Sequence, residues 1–288
     1  MTIRVAKVPG AKWRLVDWYI AHLPARRVYL EPYCGSAAVL FNKPRSPTEV
    51  VADVDGRVVA LFRVLRDRPD ALARAIRLTP WAREEWECCR RGRLDEEEAA
   101  EDDLEKARRF LVESWQSHGL RSLSRSGWRH DGPSGRRGRS VAMEWADLPD
   151  RIEAAARRLQ GVHIESRPAL DVLARYNGPE VVAFVDPPYP AVTVHGKRDR
   201  LYRHEMLKPE QHRELLAALI GREGPVLACS YRNDIYDEML LGAGWTVVET
   251  STVAEHGNER IESLYLNAHA VAGRTQQIEL LGTGEEVG

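Results

Sequence analysis

The 288-residue chain lacks most of the short signatures that reveal a function at once. Its four cysteines, Cys34, Cys88, Cys89 and Cys229, show no C-x-x-C spacing, and adjacent Cys88 and Cys89 are poor partners for one zinc site. Its nine histidines are scattered and form no H-E-x-x-H. These absences exclude the common zinc signatures; reduced packing thiols are expected, and no metal. No apolar run approaches the roughly 20 residues of a membrane span. The N-terminus MTIRVAKVPGAKW has no apolar leader core. A soluble intracellular protein with no membrane partner is therefore expected. There is no G-x-G-x-x-G and no G-K-[ST], so phosphate binding by either loop is unsupported. Nor is one sign of charge in excess: 42 Lys and Arg against 43 Asp and Glu leave −1, which argues against nucleic-acid binding over the whole surface but not on a local basic face.

What is present is an alternation. RLVDWYIAHL (14–23) has helical spacing of Leu15, Trp18, Tyr19 and Leu23 and stops at Pro24. RVYLEPYCGSAAVLF reads as strand, turn of small residues, helix; EVVADVD (49–55) as a short strand ending in acids; GRVVALFRVLRD as a helix. From about 70 the character changes. Residues 84–105 hold eleven acids against three arginines, a solvated helical face or loop. EKARRFLVESWQSHG is helical. LRSLSRSGWRHDGPSGRRGRS follows with six arginines and cannot pack a core. After 160 the alternation resumes: GVHIES, EVVAFVD and GPVLACSY as strands, ALDVLARY, KPEQHRELLAALIG and DIYDEMLLGAG as helices. WTVVETSTVA and IESLYLNAHA look like a closing antiparallel pair. The expected fold class is α/β, an open sheet with helices on both faces and a mainly helical insert.

Three places carry candidate chemistry. In LEPYCGSAAVLF, Gly35, Ser36, Ala37 and Ala38 permit close approach at a strand-to-helix turn, which serves a ligand or plain packing equally well. Asp53 ends the next strand, where an acid accepts ribose hydroxyls; Asp55 is the better N-cap for the following helix, which leaves Asp53 freer for a ligand. In VVAFVDPPYPAV, prolines end the ladder and fix φ, so that Asp186, the Pro187 carbonyl and the Tyr189 ring suit a flat ring bearing an amine. Taken alone, that stretch is better explained by a proline turn with an Asp cap.

In this order and at these spacings, the set resembles the Dam-like DNA adenine-N6 methyltransferases. PGAKWRLVDWYIAHLP is similar to their N-terminal glycine–lysine segment, LEPYCGSAAVLF to their cofactor motif, VADVDGRVVALFRVLRD to the strand and helix carrying the ribose acid, and DPPY to their catalytic tetrapeptide. VLACSYRND and ERIESLYLN resemble later landmarks. The resemblance implies a Rossmann-like methyltransferase sheet and a discontinuous catalytic domain, residues 1–70 and 158–288. An inserted target-recognition domain would span 71–157. It implies S-adenosylmethionine as cofactor, held by Lys12, Tyr33, Gly35, Ser36 and Asp53, and double-stranded DNA as partner, with no obligatory protein partner. Asp186 and Pro187 would accept the two N–H bonds of the target amine, and Tyr189 would stack on a base flipped out of the duplex. Arg121, Arg125, Arg129, Arg136, Arg137 and Arg139 would reach DNA, with Tyr202 closing over the base and Trp128 a candidate wedge. The host would be a prokaryotic or phage-infected cell and the site cytoplasmic.

The chain departs from its relatives in a glycine-poor cofactor motif, in Val8 where they often carry tryptophan, and in Pro168 where they often carry an acid. Alternative readings are a cytosine-N4 methyltransferase, which more often has serine at the Asp186 position, and a catalytically inactive DNA-binding relative, against which intact Asp53, Asp186 and Tyr189 argue.

Overall fold

The computed structural model describes residues 3–8, 10–92, 102–118, 127–131, 140–190, 206–253 and 259–274. Its centre is a seven-stranded mixed sheet in the order β3-β2-β1-β4-β5-β7-β6. The strands are β1 (Val28–Pro32), β2 (Thr48–Ala52), β3 (Val162–Glu165), β4 (Val181–Val185), β5 (Val226–Ser230), β6 (Thr246–Val253) and β7 (Glu259–Leu266). β1 to β5 run parallel, and β7 is antiparallel to both β5 and β6. This is the open α/β sheet expected from the alternation, in the Rossmann-like form that the resemblance implies.

β4 and most of β5 read as apolar runs because both faces are covered. Period-two alternation then assigns each residue to a face. Tyr29, Val51, Val182, Phe184, Leu227 and Cys229 enter one core, and Leu30, Val50, Ala183, Val185, Val226 and Ala228 the other. Against the first face lie α1 (Val16–Ala21), α2 (Ala38–Asn42) and α3 (Gly56–Asp67). So do α4 (Pro69–Leu78), α5 (Arg83–Gly92), α6 (Asp103–Gln116), α7 (Val141–Ala146) and α8 (Leu148–Leu159). The second face carries α9 (Ala169–Arg175), α10 (Pro209–Ile220) and α11 (Asp234–Tyr236). The helices between β2 and β3 share one continuous core with the sheet: α6 packs on α3, and α8 on α3 and α4. Among the described residues, no helix is long and apolar enough to cross a membrane.

Two helices differ from the sequence pattern. The segment 14–23 is divided: a 3₁₀ turn, Lys12–Arg14, precedes α1, with Leu15 at φ −116° and ψ 13° between them. The helix after β5 is α-helical only over α11 and continues as a π-helical turn, Asp237–Leu241. There Asp237 accepts bonds from the Tyr265 hydroxyl (2.6 Å) and from Arg232 (3.0 Å). Asp55 caps α3 as expected, accepting from the Arg57 amide at 3.0 Å.

Candidate functional site

Strand order reverses at β1, which pairs with β2 on one side and β4 on the other. Such a switch point opens a crevice at the carboxyl ends of the strands, where loops diverge to opposite faces. The register Tyr29↔Val182 and Leu30↔Ala183 brings the turn after β1 beside Asp186. A cleft lies here, with about 870 Å³ of empty space including its mouth. Among its lining residues are Lys12, Tyr33, Gly35, Ser36, Asp53 and Asp186. The structure thus brings all five expected cofactor-binding residues and the expected catalytic acid around one space.

The turn after β1 is wound tightly. Tyr33 (φ 60°), Gly35 (φ 48°) and Ala37 (φ 48°) all adopt left-handed backbone, which costs a residue with a Cβ on the order of 1–2 kcal/mol. Asp53 holds the turn: Oδ2 accepts from the Gly35 amide and Oδ1 from the Asp55 amide, both at 2.9 Å. The expectation of a freer Asp53 therefore needs qualification, since the carboxylate first fastens two backbone segments. Asp53 also lines the cleft. At Gly35 a Cβ would meet a Val8 methyl at 3.5 Å, so Val8 sits directly beneath the turn.

At the other end of the cleft, Lys12 is buried and its ammonium has three polar neighbours. The ammonium is 2.8 Å from Asp186 Oδ1, donates to the Tyr189 hydroxyl at 2.9 Å and to the Gly10 carbonyl at 3.1 Å. Burial pushes the Lys12 pKa down, but the carboxylates of Asp186 and Glu262 outweigh it and hold the ammonium charged. Asp186 is raised above the usual aspartate value by burial, with Lys12 opposing. The Tyr189 hydroxyl donates in turn to Glu262 Oε2 at 2.8 Å, and its ring meets Tyr231 at 4.8 Å and 79°. Pro187 is buried.

Several lining residues had no signal in the sequence. Glu31, inside β1, is buried; Oε2 accepts from the Tyr29 hydroxyl (2.8 Å) and the Leu40 amide (3.1 Å), and burial pushes its pKa up to about 8. Phe110 of α6 and Phe184 of β4 give the cleft apolar wall. Nearby, Arg4, Lys7 and Arg151 gather round the Trp115 ring at 5.9, 3.8 and 5.3 Å. Burial and neighbouring cations lower Lys7 to about 8, although Glu144 pairs with it at 2.9 Å.

Of the expected DNA-contacting residues, Arg121, Arg125, Arg136, Arg137, Arg139 and Tyr202 lie outside the described residues. Arg129 is described and half-buried. Its amide donates to Gln116 O at 2.7 Å, and its carbonyl accepts from Trp81 Nε1 at 3.0 Å. Trp128, the candidate wedge, has contacts on several sides. Its indole N–H donates to Gln116 Oε1 at 3.2 Å, His130 stacks on it at 5.8 Å and Arg83 lies over it at 5.2 Å.

The profile of the D12 class N6 adenine-specific DNA methyltransferase family matches residues 9–253. No curated protein matches the chain. Among solved structures, a precorrin-8w decarboxylase of Methanobacterium thermoautotrophicum is 11% identical with a TM-score of 0.35, over 90% of this chain and 92% of that one. A SAM-dependent methyltransferase of Agrobacterium tumefaciens is 9% identical with a TM-score of 0.34, over 88% and 59%.

Proposed function

The chain belongs to the D12 class of N6 adenine-specific DNA methyltransferases, S-adenosylmethionine-dependent enzymes acting on DNA; from that premise we propose that Asp186, Pro187 and Tyr189 receive the amine-bearing ring of a flipped-out adenine. The observation that carries this reading is the direct contact of Lys12 with Asp186 and Tyr189. It joins the cleft of the first turn to the tetrapeptide after β4, so cofactor and target residues form one site.

The residues present fit the cofactor. A nucleoside needs an acceptor for its ribose, an apolar wall for its ring and backbone that a large group can approach. Asp53, Phe110 with Val58, and the left-handed Tyr33–Ala37 turn supply these within a single cleft. S-adenosylmethionine supplies the methyl group when bound. Asp186 and the Pro187 carbonyl accept from the target amine, drawing density onto a nitrogen whose lone pair is otherwise delocalised into the ring. The two prolines fix φ on either side of that acceptor, and Tyr189 offers its ring as a stacking surface. No covalent enzyme intermediate is required; Cys34, Cys89 and Cys229 are buried, and burial raises their thiols. Positioning and electrostatics supply the rate.

Recognition is assigned to residues 71–157, with the arginines from 121 to 139 on phosphates or guanine edges and Tyr202 over the base. A site in the cytoplasm is the corresponding expectation.

The test is to incubate the protein with labelled S-adenosylmethionine and mixed-sequence DNA and to identify the modified nucleoside. N6-methyladenine is expected, and N4-methylcytosine would displace this reading. Asp186→Ala should lose turnover while retaining cofactor binding; near-normal turnover would remove Asp186 as the amine acceptor.

A further inference from the structure

We propose that Glu262 is a positioning residue for the reaction: it sets the plane of the Tyr189 ring through the tyrosine hydroxyl. The proposal rests on the reading above, in which Tyr189 stacks on the target base.

Glu262 is anomalous where it stands. Along β7, residues 262, 264 and 266 point to the same face of the sheet, and its neighbours on that face, Leu264 and Leu266, belong to the apolar core. Glu262 is itself buried, 8% exposed. A leucine there would extend the core, whereas a carboxylate costs several kcal/mol of desolvation unless it is paired. Packing therefore gives no reason for the acid.

Its partners give one. Glu262 Oε2 accepts from the Tyr189 hydroxyl at 2.8 Å and from the fully buried Tyr19 hydroxyl at 3.5 Å. The Tyr189 oxygen accepts from Lys12 at 2.9 Å, so a directed chain runs Lys12 to Tyr189 to Glu262. The prolines fix the backbone around Tyr189, but a tyrosine ring keeps two side-chain torsions of its own. Tyr231 packs against the ring, and the hydroxyl is the remaining handle. Tying that end to a carboxylate inside the sheet fixes the ring plane before a base arrives, and preset geometry of this kind is worth up to about 100-fold in rate.

The prediction separates a hydrogen-bond role from a charge role and from a packing role. Glu262→Ala should lower kcat by about 10- to 100-fold with little change in cofactor affinity. Glu262→Gln, whose amide oxygen still accepts from the hydroxyl, should recover most of that loss. Tyr189→Phe should lose as much as Glu262→Ala, and the double variant no more than the worse single one. With 2-aminopurine at the target position, the fluorescence change on binding should be altered in Glu262→Ala and restored in Glu262→Gln. Multiplicative losses in the double variant would overturn the proposal, as would a Glu262→Gln enzyme no better than Glu262→Ala. So would wild-type kcat in Tyr189→Phe, a comparison that stands even if Glu262→Ala does not fold. Asp186→Ala, assayed alongside, separates the two readings. Turnover surviving there removes the assigned site. Turnover lost there, but unchanged in the Glu262 and Tyr189→Phe variants, removes only this role.

Discussion

Inside β1, Glu31 carries a carboxyl group that folding keeps from ionising. Its pKa stands at about 8 against an ordinary 4.5, because burial disfavours the anion more than the Tyr29 and Leu40 donors favour it. Between those two values the unfolded chain releases a proton that the folded chain retains. Stability is therefore undiminished below pH 4.5, falls as pH rises and levels off above about 8, by an amount on the order of a few kcal/mol. Glu31→Gln keeps an acceptor for both donors and cannot ionise. Its denaturation midpoint should pull ahead of the wild type as pH rises from 4.5 to 8 and stay ahead beyond; parallel curves would refute the assignment. This residue also shows where a sequence falls silent. Asp186, Tyr189 and Asp53 are legible because they interrupt an apolar pattern at a strand end. Glu31 and Glu262 lie within strands, and their meaning depends on Leu40, Tyr189 and Tyr19, which meet them only after the sheet has formed.

At the scale of elements, the junction between β2 and α8 rests on charge. Glu49 of β2 accepts from Lys43 at 2.5 Å and from both terminal nitrogens of Arg158, at 2.5 and 2.8 Å. All three residues are buried. Burial would raise the Glu49 pKa, but the Arg158 and Lys43 bonds prevail and hold it below the ordinary 4.5. The stability it contributes is accordingly present above pH 4.5 and is lost as pH falls through the lower, folded value. Glu49→Ala leaves two cations buried without their carboxylate and should cost about 3–5 kcal/mol in a urea titration at pH 7. A loss under about 1 kcal/mol would place the triad with ordinary surface pairs. The order of strands and helices was legible from alternation, since residues on two-sided parallel strands announce themselves as apolar runs. The π-helical turn at Asp237–Leu241 was not: one added residue per turn barely alters the spacing of apolar positions, and its partner Tyr265 is in β7. The 3₁₀ turn before α1 escaped for a related reason, because Lys12, outside the apolar spacing that begins at Leu15, is held there by Asp186 and Tyr189, far along the chain.

For the molecule as a whole, the defining contact is the pairing of Val28 with Val181, the central ladder of the sheet. The chain builds β1 and β2, leaves for the helices α4 to α8, and returns to complete the sheet on both sides of what it left. Loop closure on that scale makes folding slow relative to local structure. A chain divided between residues 132 and 139 yields one piece bearing β1 and β2 and another bearing β3 to β7, each with an uncovered sheet edge. Co-expression of the two should restore methylation that neither gives alone. If the first piece by itself protected the β1 amides from hydrogen exchange, the interdependence would be refuted. The same arrangement has a meaning during synthesis. Lys12 is made early but has no acid to meet until Asp186 emerges, and Tyr189 has no anchor until β7 does. A ribosome carrying most of this chain therefore displays an unfinished cleft: Gly35 and Asp53 can already meet, but Tyr189 gains its carboxylate only when the penultimate strand of the sheet slides between β5 and β6.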